Sequence, residues 1–148
     1  MFDKKAKVSQ VMTSEVVTVQ SNDTMDKVAE LFKSNYFHHI PVVDYGKVVG
    51  IISSMDYHML EDHFTLFNNK NSEAMNEAIM RSLLVKDVMT QQIAVIGPDD
   101  TVEFAAGIFR ENLFHALPVA DSHKNFLGII TSYDLLNFAY ADAPPVLN

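Results

Sequence analysis

Two short pieces of the chain carry a hydroxyl and a carboxylate at the same spacing: Ser53-Ser54-Met55-Asp56 and Thr131-Ser132-Tyr133-Asp134. A carboxylate accepts donors on two oxygens, and the amides at a helix start attract an anion. The pattern can therefore meet hydrogen-bond donors on one side and an anion on the other. The same residue types also cap a helix with no ligand at all, and spacing leaves both readings open. Histidines precede two apolar runs, His38 and His39 before one and His115 before the other. A fourth group, His58, Glu61, Asp62 and His63, has metal-ligand chemistry. On a helix His58 and Asp62 share a face while His63 does not, which is too few ligands for a metal centre. A solvated face is expected there, and no metal.

Other chemistries lack their residues. There is no cysteine in 148 residues, so disulfides, thiolate metal sites and cysteine nucleophiles are excluded. Gly-rich phosphate loops, G-x-S-x-G and H-E-x-x-H are absent. The acidic groups sit at helix starts and form no acid/base pair. The chain reads as a non-enzyme, with no catalytic residue and no required cofactor. Its formal net charge is −8, and only Lys4, Lys5 and Lys7 cluster. Such a surface repels a phosphate backbone, so no nucleic-acid partner is expected. The first ten residues hold no apolar core, and no apolar run approaches the ~20 residues that span a bilayer. No membrane association and a cytoplasmic location follow as expectations.

The elements that position these residues are written twice. "FHHIPVVD" at Phe37–Asp44 returns as "FHALPVAD" at Phe114–Asp121. Met12 and Met89, His38 and His115, and Pro41 and Pro118 are each 77 apart; Gly50 and Gly128, and Asp56 and Asp134, are 78 apart. One residue has been gained in a turn, where "DYGKVVG" became "DSHKNFLG". Each repeat reads as β-α-β-β-α. "VMT" opens it, and a β-branched run follows, Val16–Val19 or Ile93–Ile96. A helix starts near Asp23 with Asp26, or Asp100 with Glu103, in a capping pattern. Its apolar face is Met25, Val28, Ala29 and Phe32, or Val102, Ala105, Ala106 and Phe109. Asn35 or Asn112 ends it. Two apolar strands come next, and a helix after "SSMD" or "TSYD" closes the repeat. The strands are apolar on both faces, so each sheet should be covered on both sides.

The expected fold is α+β, two such units packed as a pseudo-two-fold pair. The boundaries are 8–60 for the first unit, 61–84 for a connecting helical insert, 85–140 for the second unit and 141–148 for a tail. In the insert "NNKNS" reads as a turn, and a helix is expected from about Ser72 to Leu83 with Met75, Ile79 and Leu83 on its apolar face. Pro144 and Pro145 cannot continue the last helix.

In order, "VMT", "FHHIPVVD", "GIISSMD", "VMT", "FHALPVAD" and "GIITSYD" resemble a tandem pair of cystathionine-β-synthase (CBS) domains, a Bateman module. The resemblance covers about Val8 to Tyr140 without the insert. It implies a regulatory sensor that binds an adenosine-containing ligand (AMP, ADP, ATP or S-adenosylmethionine) in clefts between the paired domains, assembles as a homodimer and controls an unknown effector protein. It also implies roles. Asp56 and Asp134 would accept the ribose hydroxyls, with Ser53 and Thr131 beside them. His38, His39 and His115 would face the phosphate. Where the family often places Arg, this chain has His39 and Ala116, which argues against a strongly held triphosphate. Val17, Phe37 and Ile51 would wall the base in one repeat, and Ala94, Phe114 and Ile129 in the other. A ligand-free dimerisation or docking module is the alternative.

Overall fold

The computed structural model describes residues 2–64, 72–112 and 114–142. After a 3-10 turn at Val8–Gln10 come α1 (Met25–Ser34), β1 (His39–Asp44), β2 (Lys47–Ser53), α2 (Ser54–Phe64), α3 (Ser72–Ser82), α4 (Val85–Val88), α5 (Val102–Asn112), β3 (Ala116–Ala120), β4 (Phe126–Thr131) and α6 (Ser132–Ala139). The "NNKNS" turn and Pro144–Pro145 lie outside the described residues.

These elements form two compact units, and the units do not coincide with the sequence repeats. One is Val17–Ile93. The other joins the residues up to Val16 to those from Ala94 onward. Each "VMT" segment therefore packs with the β-hairpin of the opposite repeat.

In the unit Val17–Ile93, Met25, Val28 and Ala29 of α1 meet Ile40, Val42 and Ile52 of the hairpin in one core, which Tyr57, Met80 and Val85 complete. β1 and β2 pair antiparallel, His39 opposite Ser53 and Val42 opposite Gly50, with a bulge after Val42. Tyr45 and Gly46 both take positive φ, 51° and 77°, in a two-residue turn. That is the geometry a tight hairpin favours. Ile40, Pro41 and Val42 are buried in succession. Neighbouring strand residues face opposite ways, so the sheet is covered on both sides there. On α3 the expected apolar face is displaced: Met75 is exposed and Met80 is the buried residue.

In the other unit, Val8, Ile96, Ala105, Phe109, Leu117, Val119 and Ile130 make the core. β3 and β4 pair antiparallel, Ala116 opposite Thr131 and Val119 opposite Gly128. The extra turn residue is absorbed by Asp121, whose carboxylate accepts the amides of His123 and Asn125, and by Lys124 at φ 65°.

Two further expectations need correction. The opening β-branched runs are not strands. Each is reduced to a single parallel bridge, Val19 to Val42 and Ile96 to Val119: Val19 and Ile96 donate to the carbonyls of Pro41 and Pro118, and those prolines have no amide with which to extend the ladder. The caps also fall one residue later than expected. Thr101 Oγ1 accepts the Phe104 amide at 3.1 Å, while Asp100 closes the turn before the helix by accepting the Gly97 amide at 2.8 Å. In the first repeat the cap position is Thr24, and Asp23 accepts the Gln20 amide at 2.7 Å. The helix ends are as expected. Asn35 donates its side-chain amide to the Leu31 carbonyl, and Asn112 to that of Ile108.

Candidate functional site

Both Ser/Thr-x-x-Asp pieces form the same corner, where a strand turns directly into a helix. At β2–α2, Asp56 Oδ2 accepts the Ser53 amide and the Ser53 hydroxyl, each at 2.8 Å. Ser53 Oγ accepts the Asp56 amide at 3.1 Å. At β4–α6, Asp134 Oδ2 accepts the Thr131 amide at 2.7 Å and hydroxyl at 2.6 Å, and Thr131 Oγ1 accepts the Asp134 amide at 3.2 Å. Capping is thus realised at both corners, and it uses one carboxylate oxygen. The second oxygen is left for other work. All four residues are only half-buried, so the corners are open to a ligand.

The predicted histidines, with Ala116, lie beside these corners, each within its own unit. The His38 carbonyl accepts the first amide of α2, from Ser54, at 2.8 Å; the His115 carbonyl accepts that of Ser132 at 3.1 Å. Both imidazoles are exposed, and His38 Nδ1 lies 3.4 Å from Ser54 Oγ. Strand register sets His39 across from Ser53 and Ala116 across from Thr131. Among the predicted wall residues, Val17 and Phe114 are exposed, each at 43%, a poor fit to plain core. Ile51 and Ala94 are half-buried. Phe37 packs edge-on to Phe32. Ile129 is buried.

Thr13 escaped the sequence reading, which treated "VMT" only as the opening of a repeat. Its backbone pairs with Ile129 in both directions, each at 2.9 Å, and its hydroxyl donates to Asp134 Oδ1 at 3.3 Å. Gly128 permits this approach: a Cβ there would lie 2.4 Å from the Thr13 carbonyl oxygen. Gly50 does the same for Met89 and Thr90, with a Cβ 2.9 Å from the Thr90 carbonyl, and Thr90 pairs its backbone with Ile51. The signal in the sequence was the glycine of "VVGIIS" and "FLGIIT", which marks close approach of another backbone.

Elsewhere, His58 Nδ1 lies 3.4 Å from Glu61, and the buried Tyr57 hydroxyl donates to the same carboxylate. Burial and that carboxylate hold the Tyr57 phenol well above its ordinary pKa. Among the described residues no group of three or more His, Asp or Glu could hold a metal. The His63 side chain lies outside the described set. An open depression of about 430 Å³ lies between Val95–Asp100 and Ala120–Ser122. Its carboxylates are engaged, Asp99 by Lys7, Asp100 by the Gly97 amide and Asp121 by its turn, and none of the predicted residues line it.

A family profile described as CBS domain matches residues 8–57 and 85–141. The chain belongs to the CBS domain family. Its two repeats are CBS domains of α+β structure. The CBS pair spans between a fifth and a half of the length of the first curated relatives that it matches. One is the L-aspartate semialdehyde sulfurtransferase of Methanosarcina acetivorans, 33% identical over 126 residues, which cover 84% of this chain and 22% of that protein. Among solved structures, MJ1225 of Methanocaldococcus jannaschii, described as a candidate archaeal homologue of γ-AMPK, superposes with a TM-score of 0.79 at 27% identity. That match covers 93% of this chain and 49% of the other. CBSX2, solved in complex with AMP, gives a TM-score of 0.75 at 24% identity over 93% of this chain and 98% of the other. Among the described residues no helix is long and apolar enough to cross a membrane.

Proposed function

We propose that this CBS pair is a regulatory, non-catalytic module that binds an adenosine-containing ligand at its two Ser/Thr-x-x-Asp corners and signals its occupancy to a separate protein. The observation that carries the reading is the corner itself: a half-buried carboxylate with one oxygen committed to a helix cap and the other set apart from it, repeated in both CBS domains. That second oxygen, which at Asp134 also accepts the Thr13 hydroxyl, keeps acceptor capacity that suits ribose hydroxyls. The exposed apolar side chains of Val17 and Phe114 suit the face of a purine. AMP in the complex of CBSX2 supports the ligand class. His39 and Ala116 at the expected arginine positions favour a ligand of low phosphate charge, AMP or S-adenosylmethionine, over ATP.

Ligand at ten times its dissociation constant should stabilise the fold by about 1.4 kcal/mol. A thermal-shift panel of AMP, ADP, ATP, S-adenosylmethionine and NADH, followed by calorimetry, is expected to show AMP or S-adenosylmethionine raising the melting midpoint most. No shift and no heat from any of them at millimolar concentration would leave a docking module without a ligand.

The same module is proposed to act as a homodimer. Tyr133, Leu136 and Tyr140 are 69%, 58% and 68% exposed and fall on one face of α6. Met55 and Met59 of α2 are also exposed. Patches of this kind mark association surfaces. Light scattering at tens of micromolar is expected to give twice the chain mass, and Leu136→Glu to reduce it to one. A monomeric wild-type protein would refute the dimer.

A further inference from the structure

We propose that Thr13 is a positioning residue for Asp134, and that it makes the β4–α6 corner the tighter of the two ligand sites. The inference rests on the reading that the corners bind ribose. Asp134 Oδ2 is held by two donors from Thr131, and Oδ1 by the Thr13 hydroxyl. With both oxygens anchored, the carboxylate cannot swing about its own bond. Thr13 is itself fixed, because its backbone is paired in both directions with Ile129 over a glycine that tolerates nothing larger. A carboxylate oxygen has two lone pairs, so Oδ1 keeps one acceptor position, already aimed, for a ribose hydroxyl.

The other corner lacks this anchor. Thr90 occupies the equivalent place and pairs its backbone with Ile51 at 2.9 and 3.1 Å, yet among the described residues its hydroxyl makes no hydrogen bond to Asp56. Asp56 is held through Oδ2 alone. Ordering that carboxylate is a cost met only on binding, whereas at Asp134 the fold has already met it. Two corners with the same capping residues therefore differ through a residue more than a hundred positions away in sequence.

The test uses Thr13→Val, Thr13→Ser and Thr90→Val in the full chain, titrated with AMP and with 2′,3′-dideoxy-AMP, which lacks both ribose hydroxyls. Thr13→Val should weaken AMP at the tighter site about three- to tenfold, the range of an ordinary hydrogen bond, because Thr131 still holds Oδ2. Thr13→Ser should restore it, and Thr90→Val should leave that site unchanged. Dideoxy-AMP should bind Thr13→Val as it binds wild type. The carboxyl carbon of Asp134 should shift by NMR in ligand-free Thr13→Val, with that of Asp56 unmoved. Equal weakening of AMP and dideoxy-AMP would mean that Thr13 only holds the segment in place, and an unmoved Asp134 signal would remove the positioning role. Either result overturns the proposal while the adenosine reading stands. Absence of AMP binding to wild type would instead sink the adenosine reading, and the assignment of a tighter site with it.

Discussion

A chain that starts at Val17 is expected to lose the folded state of β3, β4, α5 and α6 while keeping that of β1, β2 and α1. The removed segment makes six backbone hydrogen bonds to its unit: Val8 and Ser9 to the carbonyls of Asp100 and Pro98, Val102 and Glu103 to those of Ala6 and Lys4, and the pair between Thr13 and Ile129. At about 1 kcal/mol each, with about 2 kcal/mol for the fully buried Val8, the loss is comparable to the ~5–15 kcal/mol that holds a whole domain together. Hydrogen exchange should show the amides of β4 exchanging freely in the shortened chain and those of β2 still protected. A synthetic peptide of residues 2–16 added back should restore protection to β4. Full protection of β4 without the peptide would contradict the packing described.

The second large effect concerns ligand binding. Asp134→Asn is expected to weaken AMP at least tenfold, because a hydrogen bond to a carboxylate is worth about 1.5–3 kcal/mol and 1.4 kcal/mol is a factor of ten. Asparagine keeps an oxygen for the amide of Thr131, so the helix cap survives and the ligand-free melting midpoint should barely move. Asp56→Asn should cost less, about threefold, since its carboxylate is less ordered beforehand. Calorimetry on both variants decides this. Equal losses would show equivalent corners, and no loss from either would place the ribose elsewhere.

Local features were legible in the sequence and non-local ones were not. The buried faces of α1 and α5, the two hairpins, and Asn35 and Asn112 at the helix ends follow from patterns within ten or so residues. The capping residues Ser53, Asp56, Thr131 and Asp134 were legible for the same reason. The opening runs Val16–Val19 and Ile93–Ile96 have strand composition, but composition does not show that the residues facing them are Pro41 and Pro118, which offer no amide to a ladder. The cap at Thr101 was missed because Asp100 has equal capping chemistry and was taken up by the preceding turn. The face of α3 was misjudged because the choice between Met75 and Met80 is made by α1. Thr13 was invisible as a partner of Asp134 because the two are brought together by the docking of one repeat's opening segment on the other repeat's hairpin.

That docking also fixes an order in time. During synthesis, at about 5–20 residues per second, everything the unit Val17–Ile93 requires emerges from the ribosome before the second hairpin does. The segment around Val8 and Thr13 emerges before the rest of its unit and finds its partner strand only after Phe126–Thr131 has followed. Until then Val8 has no core to enter and the Thr13 backbone has no strand to pair with. For those seconds the nascent chain carries an unpaired strap, with Val8 exposed, that a chaperone or the unfinished unit of a neighbouring chain is free to take.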